Sequence, residues 1–286
     1  MAEQLITLKN NELEVTLSSK GAEIVSIIKD GKEKIWQADP DVWPMHTPIM
    51  FPVCGGLMDD EFVFEGKTYN LGKHGFIRFC EFEVESADDE KVVFAYTSNE
   101  ETLKQYPFDF KFKVAFTLKG ADLLVEYITE NTGDKAMYFS AGAHEGYACN
   151  EGVENYTIVF EKEEDLVSNV LEGNLLGYNT VELGKGVREL KLKDEFFKVD
   201  ALVFLNLKSR KVWLRNDTTG ESFSVSFDGA DYLLLWTKYK AKYICIEPWF
   251  GISDFTDSNK DFVNKRGITK LNENEVCVNT HIISFS

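Results

Sequence analysis

Short runs of alternating apolar and polar residues dominate this chain. Leu13, Val15 and Leu17 fall on one face of a first strand. Ile24, Val25, Ile27 and Ile28 lead into the turn signal Asp30-Gly31, after which Ile35 and Trp36 end a short returning strand. Phe108, Phe110, Phe112, Val114 and Phe116 alternate strictly with Asp109, Lys111, Lys113 and Ala115, the period of a half-buried strand. Lys119-Gly120 turns that strand into a hairpin with 123–128. The same pattern predicts strands over 92–96, 156–160, 201–207, 212–216, 223–227, 232–236, 276–278 and 281–285. A helix is predicted over 98–106, about two turns long, with Ser98 or Asn99 as its cap. No longer helical pattern exists, and strand-and-turn signals recur at sandwich spacing. The expected fold class is therefore all-β, a large antiparallel β-sandwich spanning 1–286 as a single domain without repeat or linker.

Three stretches break this rhythm and carry the candidate chemistry. Pro40, Pro44, Pro48 and Pro52 hold Trp43, His46, Met50 and Phe51 on an extended, irregular connection, and Gly55-Gly56 permits a close backbone approach. His74 and His144 each sit among glycines and alanines that clear space around an imidazole, in Leu71-Gly-Lys-His-Gly and Ala141-Gly-Ala-His-Glu-Gly. Tyr243-Ile-Cys-Ile-Glu-Pro-Trp-Phe-Gly reads as a buried strand that ends at Glu247, because Pro248 cannot donate to a ladder. Partial desolvation there raises the carboxyl pKa and makes Glu247 a better proton acceptor. The plainer alternative is a strand-end glutamate held by backbone N–H groups or a buried arginine. His281, on the terminal strand, is expected to be structural.

Composition narrows the partners. The 31 Lys plus Arg against 48 Asp plus Glu give a net charge of −17, which repels phosphate backbones and anionic lipid, so neither nucleic acid nor membrane is expected. Cys54, Cys80, Cys149, Cys245 and Cys277 are odd in number and without a C-x-x-C pair, as free buried thiols of a reducing compartment would be. The opening Met-Ala-Glu-Gln-Leu has no leader pattern and no apolar run approaches bilayer length, so the expected location is cytoplasmic. Aromatics make up 13%, with 22 Phe, which suits β-structure and leaves a surplus for stacking on a ligand.

The sequence contains no G-x-G-x-x-G, P-loop, H-E-x-x-H or G-x-S-x-G, so nucleotide cofactors, phosphoryl transfer, zincin chemistry and the hydrolase elbow lose support. Two imidazoles and a carboxylate remain, among abundant aromatics. That set suits proton movement on a neutral, polyhydroxylated ligand: the carboxylate takes a hydroxyl proton, an imidazolium gives one, and an aromatic face covers ring C–H groups. A metal site of His74 and His144 with Glu247 as third ligand is the alternative on the same residues, although no short ligand spacing marks one.

Pro48-Ile-Met-Phe-Pro52-Val, His74-Gly-Phe-Ile-Arg78, Ala141-Gly-Ala-His144, Phe197-Lys-Val-Asp200-Ala-Leu, Ile246-Glu247-Pro-Trp-Phe-Gly, and Lys265-Arg-Gly-Ile268 with Leu271 run in order over nearly the whole chain. This ordered set resembles the aldose 1-epimerase (mutarotase) family, and within it the LacX-type branch. The resemblance implies a galactose mutarotase-like β-supersandwich and interconversion of the α and β anomers of a free aldohexose, without metal or organic cofactor. It makes Glu247 the general base at the C1 hydroxyl, His144 the general acid at the ring oxygen, and His74 a second histidine that hydrogen-bonds the sugar. Asp200, Arg78 and Trp249 become sugar-binding residues, with Trp43 a further stacking surface. A raised glutamate and a histidine near its ordinary pKa are expected to exchange protons in both directions near neutral pH. Better-known mutarotases carry a sugar-binding Arg before the first histidine, whereas 48–57 here has none. The family's sugar-binding Asp matches Asp200 loosely, with Asp194 nearby.

Two alternatives stay open on the same fold. One is a non-catalytic sugar-binding or sensing protein. The other is a hexose-6-phosphate mutarotase, which needs a cationic clamp drawn from Lys73, Arg78, Lys238 and Lys265. The expected partner is a small-molecule sugar, and the sequence assigns no oligomeric state.

Overall fold

Phe110–Lys119 and Asp122–Asn131 form the hairpin that their alternation predicts, paired from Asn131 opposite Phe110 to Asp122 opposite Lys119. Phe110, Phe112, Val114 and Phe116 are buried on one face, and each such side chain removed from water contributes roughly 2 kcal/mol. The structure, a computed structural model, describes residues 3–285.

The hairpin belongs to a 14-stranded antiparallel sheet. From one edge its order is Ala141–Gly142, Tyr243–Phe250, Tyr232–Trp236, Leu202–Phe204, Tyr156–Glu172, Lys211–Asn216, Ser222–Ser226 and Val276–Ser284. It continues through Asp122–Asn131, Phe110–Lys119 and Lys91–Thr97 to Glu83–Ala87. Glu145–Ala148 also pairs with Tyr243–Phe250, and Leu175–Lys191 with Tyr156–Glu172. A four-stranded sheet of Leu5–Lys9, Leu13–Ser18, Glu23–Lys29 and Lys32–Glu33 sends Leu8, Val15, Leu17 and Ile24 into the same apolar core as Phe110 and Phe112, which completes the sandwich. The α-helix Glu100–Gln105 starts at Asn99, whose side chain accepts from the N–H groups of Glu101 and Thr102 while Thr102 Oγ1 accepts from the Asn99 N–H. Among the described residues no helix is long and apolar enough to cross a membrane.

Three elements differ from the sequence reading, each for a physical reason. The strand expected over 156–160 runs on to Glu172 and returns as Leu175–Lys191, two 17-residue strands whose ladder shifts register four times. The polar run Glu161 to Asp165 hides it, because polar Glu164 and Ser168 hold buried positions on either side of Leu166 and the inward face lacks the apolar period. The two terminal strands are one, Val276–Ser284, since cross-strand pairing with Asp122–Asn131 carries it through the polar pair Asn279 and Thr280. Glu247 does not end its strand either: Tyr243–Phe250 continues through Pro248.

Candidate active site

Register explains how a strand can run through Pro248. Gly142 lies opposite Trp249 and Glu145 opposite Ile246, which puts Ala143 opposite Pro248 and His144 opposite Glu247. The Ala143 N–H donates to the Pro248 carbonyl at 3.0 Å, and the reciprocal bond is the one a proline cannot make. The partner strand is therefore split at the point where His144 faces Glu247. Directly opposed residues share a face with their β-carbons about 5 Å apart. His144 Nδ1 accordingly lies 3.5 Å from Glu247 Oε1. Two groups 103 positions apart in sequence thus become neighbours through one pair of strands.

Trp249, two residues on and on the same face, donates its indole N–H to Glu247 Oε2 at 3.1 Å. One carboxylate oxygen is thereby anchored and the other left toward His144. Trp249 is only 3% exposed and stands edge-on to His74, so its main contact is with the carboxylate rather than an open stacking face. The stacking partner of His144 is Trp43, at 5.2 Å and 30°, with Trp236 edge-on at 5.5 Å. Gly146 makes this possible, because a β-carbon there would lie 2.7 Å from the Trp43 ring.

His74 comes from the loop after Lys67–Asn70 and has φ 65°, in the left-handed region. The Gly55 N–H donates to its Nδ1 at 3.1 Å, which makes Nδ1 the acceptor and Nε2 the protonated nitrogen. Isolated bridges from Met50 to Gly142 and from Phe51 to Gly75 tie the proline-rich connection to both histidine segments. His74 and His144 face each other edge-on, ring centres 5.6 Å apart.

These groups line one cavity of about 510 Å³, within the usual range for small-molecule sites of about 300–1,000 Å³. Glu247, His144, His74, Asp200, Arg78, Trp249 and Trp43 all border it. Asp200 contributes from the loop before Leu202–Phe204, while Asp194 is not among the lining residues. Lys73, Lys198 and Lys238 complete a cationic side. Lys265, a candidate for that side, points elsewhere: buried, it pairs with Asp254 at 3.0 Å and donates to the Ile252 carbonyl at 2.6 Å. The sequence reading missed Trp236, Asn174 and Lys198. Gly173-Asn174 is a hairpin-turn signal that could have placed Asn174, had the strands beside it been legible.

Burial governs the electrostatics. It raises Glu247 well above the ordinary carboxyl range, against the lowering effects of the Trp249 N–H and Lys73. Burial also pulls His144 down to about 3, with Lys73 acting in the same sense, and holds His74 well below its ordinary value, with His144 adding to the effect. The expectation of a histidine near its ordinary pKa is thus overturned by desolvation. Burial thus disfavours the charged form of both members of the pair.

Metal ligation takes a different set from the one the sequence offered. His144, Cys245 and Glu247 have ligand atoms within 4.8 Å of one another, whereas His74 is not part of that group and spends Nδ1 on Gly55. Burial and Glu247 hold the Cys245 thiol well above its ordinary pKa, which opposes thiolate ligation. His281 lies outside the cavity lining, buried, its Nε2 2.8 Å from Glu145 Oε1.

Compared with known proteins, residues 4–262 match the family model for aldose 1-epimerase. The chain is 33% identical over 281 residues to the chromosomal protein LacX of Lactococcus lactis subsp. lactis, covering 93% of this chain and 94% of that protein. Among solved structures, a galactose mutarotase related enzyme from Lactobacillus acidophilus superposes with a TM-score of 0.94 at 33% identity, over 99% of this chain and 97% of that one. A galactose mutarotase-like protein from Lactobacillus casei gives 0.92 at 25% identity, over 98% and 99%.

Proposed function

The chain belongs to the aldose 1-epimerase family, in its LacX-type branch, and on that premise we propose that it interconverts the α and β anomers of an aldohexose by opening and reclosing the ring. The observation that carries this reading is the 3.5 Å approach of His144 Nδ1 to Glu247 Oε1 on the wall of a hexose-sized cavity.

Glu247 accepts the proton of the C1 hydroxyl as its electrons form the C1 carbonyl and the C1–O5 bond breaks. His144, as imidazolium, delivers a proton to O5. Rotation about C1–C2 turns the other carbonyl face to the O5 hydroxyl, and the two transfers run in reverse. His74, protonated at Nε2, is a donor suited to hold O5 or a neighbouring hydroxyl in place. While the sugar is open, Glu247 is protonated and His144 neutral, the arrangement that burial favours. When Glu247 holds the pair's proton, its shift to His144 gives the reactive carboxylate and imidazolium without exchange with solvent. No step requires a cofactor.

The test is the approach of fresh α-D-glucose or α-D-galactose to anomeric equilibrium, followed by polarimetry or by anomeric proton exchange. Catalysed equilibration supports the reading. Saturable binding of sugars with no acceleration would assign a sugar-binding protein instead.

A further inference from the structure

The cavity's charge runs against that of the protein. In a chain of net charge −17, several cations elsewhere meet two carboxylates each: Arg215 meets Glu189 and Asp217, Lys260 meets Asp59 and Glu61, and Lys113 meets Glu85 and Glu130. The cavity gathers Lys73, Arg78, Lys198 and Lys238, and among the described residues only Lys198 has a carboxylate within ion-pairing distance, Glu195 at 3.0 Å. Only Asp200 and Glu247 oppose them from the lining, and burial disfavours the charged form of Glu247.

Arg78 is the least satisfied of the four. Its Nη2 donates to the Lys73 carbonyl at 2.9 Å, its guanidinium lies 4.5 Å over the Phe79 ring, and its Nη1 is covered without any acceptor among the described residues. Burial pulls its pKa down to about 10, the mark of a cation short of both water and counter-charge. Covering a charged donor without a partner is costly, and a neutral pyranose in the cavity supplies no counter-charge to offset it. A planar guanidinium in a lining that also holds Lys73 and Lys238 is instead suited to a phosphate or carboxylate.

We propose that the sugar epimerised here carries an anionic substituent, foremost a phosphate monoester, seated against Arg78, Lys73 and Lys238. Arg78 and Lys73 lie on the His74 loop and not on the strand that carries Glu247, so the substituent occupies the histidine-loop side and leaves C1 to the acid–base pair. Three cations without carboxylate partners favour a dianion over a carboxylate. The inference rests on the epimerase reading for its chemistry, but its binding half can be read alone.

Anomerisation of D-glucose, D-glucose 6-phosphate, D-galactose 6-phosphate and D-glucuronate is measured at low and at 0.5 M salt, alongside calorimetric titration of each sugar. The expected result is a kcat/KM at least about tenfold higher for a 6-phosphate than for glucose, about 1.4 kcal/mol of discrimination, shrinking in high salt. In Arg78→Gln, and in Lys73→Ala with Lys238→Ala, the ratio of phosphorylated to neutral turnover is expected to fall at least tenfold. Because a ratio is read, a loss of folded protein alone does not move it. Preference for glucuronate over both phosphates supports the anionic site and assigns it to a carboxylate. Equal or better turnover of glucose, insensitive to salt, overturns the inference and leaves the epimerase reading standing. If no sugar is turned over, that reading fails, and the inference is decided by titration: tenfold tighter binding of a 6-phosphate sustains it, and equal affinity overturns it.

Discussion

His74 and Gly55 hold each other at two points: the His74 N–H donates to the Gly55 carbonyl at 2.9 Å, and the Gly55 N–H donates to His74 Nδ1 at 3.1 Å. Gly55 has φ 74°, and a β-carbon there would lie 1.8 Å from Ser253 Oγ. Gly55→Ala is therefore expected to destabilise the protein by about 1–3 kcal/mol and to slow epimerisation by loosening His74. Thermal melting together with the anomerisation rate checks both parts; an alanine variant with wild-type melting and rate would refute the clamp.

Removing either member of the acid–base pair is expected to be severe. Glu247→Gln and His144→Asn should each lower kcat/KM by roughly a hundredfold or more, the scale of lost acid–base catalysis. Because the two would act as one proton-transfer unit across 3.5 Å, the double variant should lose little beyond either single one. Polarimetry decides it, and multiplicative losses would mean that the two act independently.

The same pair makes stability depend on pH in opposite senses. Burial raises Glu247 above 4.5, so as pH climbs past 4.5 the unfolded chain releases a proton the folded chain keeps, and stability falls up to the raised value. His144 is lowered from 6.5 to about 3, so its contribution is complete above 6.5 and is lost as pH falls from there toward about 3. Glu247→Gln is thus expected to melt above the wild type at pH 7, with the gap closing toward pH 4.5. A calorimetric series across pH 4–8 tests this, and lower melting of the variant at every pH would contradict it.

Trp249→Phe removes the indole N–H that favours the ionised carboxylate. Glu247 then rises further, so the basic limb of the kcat/KM profile, where the pair loses its proton, moves to higher pH, with a loss of about three- to tenfold at neutrality because the carboxylate–imidazolium form becomes rarer. An unmoved limb would show that the indole only fills space.

Lys265 and Asp254 form a buried ion pair behind the cavity, and Asp254 also accepts from the Met58 N–H and the Ser258 hydroxyl. Lys265→Met strands that carboxylate and is expected to cost about 3–5 kcal/mol. Lys265→Met with Asp254→Asn should cost less than the sum of the two single losses. Denaturant titration gives both numbers, and strict additivity would argue against direct coupling.

Legibility in the sequence followed the periodicity of burial. The Phe110–Lys119 hairpin, the Asn99 cap and the strand before Glu247 were readable because each has a local signature. The 17-residue ribbon was not, because Glu164 and Ser168 put polar residues on its buried face and its returning strand is mostly exposed. Glu247, His144 and His74 stood out as residues, yet their convergence depends on register: one missing N–H at Pro248 splits the strand opposite, and no local window contains both sides. The depressed histidines were misread for a related reason, since desolvation by Trp43 and Trp236 arises from segments nearly 200 positions apart.

The ribbon formed by Tyr156–Glu172 and Leu175–Lys191 brings Leu171 and Asn174, beside its tip, to the cavity wall, and its backbone is fastened to the loop beyond Glu247 by the Leu176 N–H donating to the Asp254 carbonyl at 2.8 Å. Reactivity and fit are consequently lodged in separate parts of the chain. Trimming, lengthening or exchanging that tip can redraw the contour a ligand meets while the strands that carry Glu247 and His144 stay untouched, so under the proposed reaction diversification of what enters need not disturb the chemistry at the anomeric carbon.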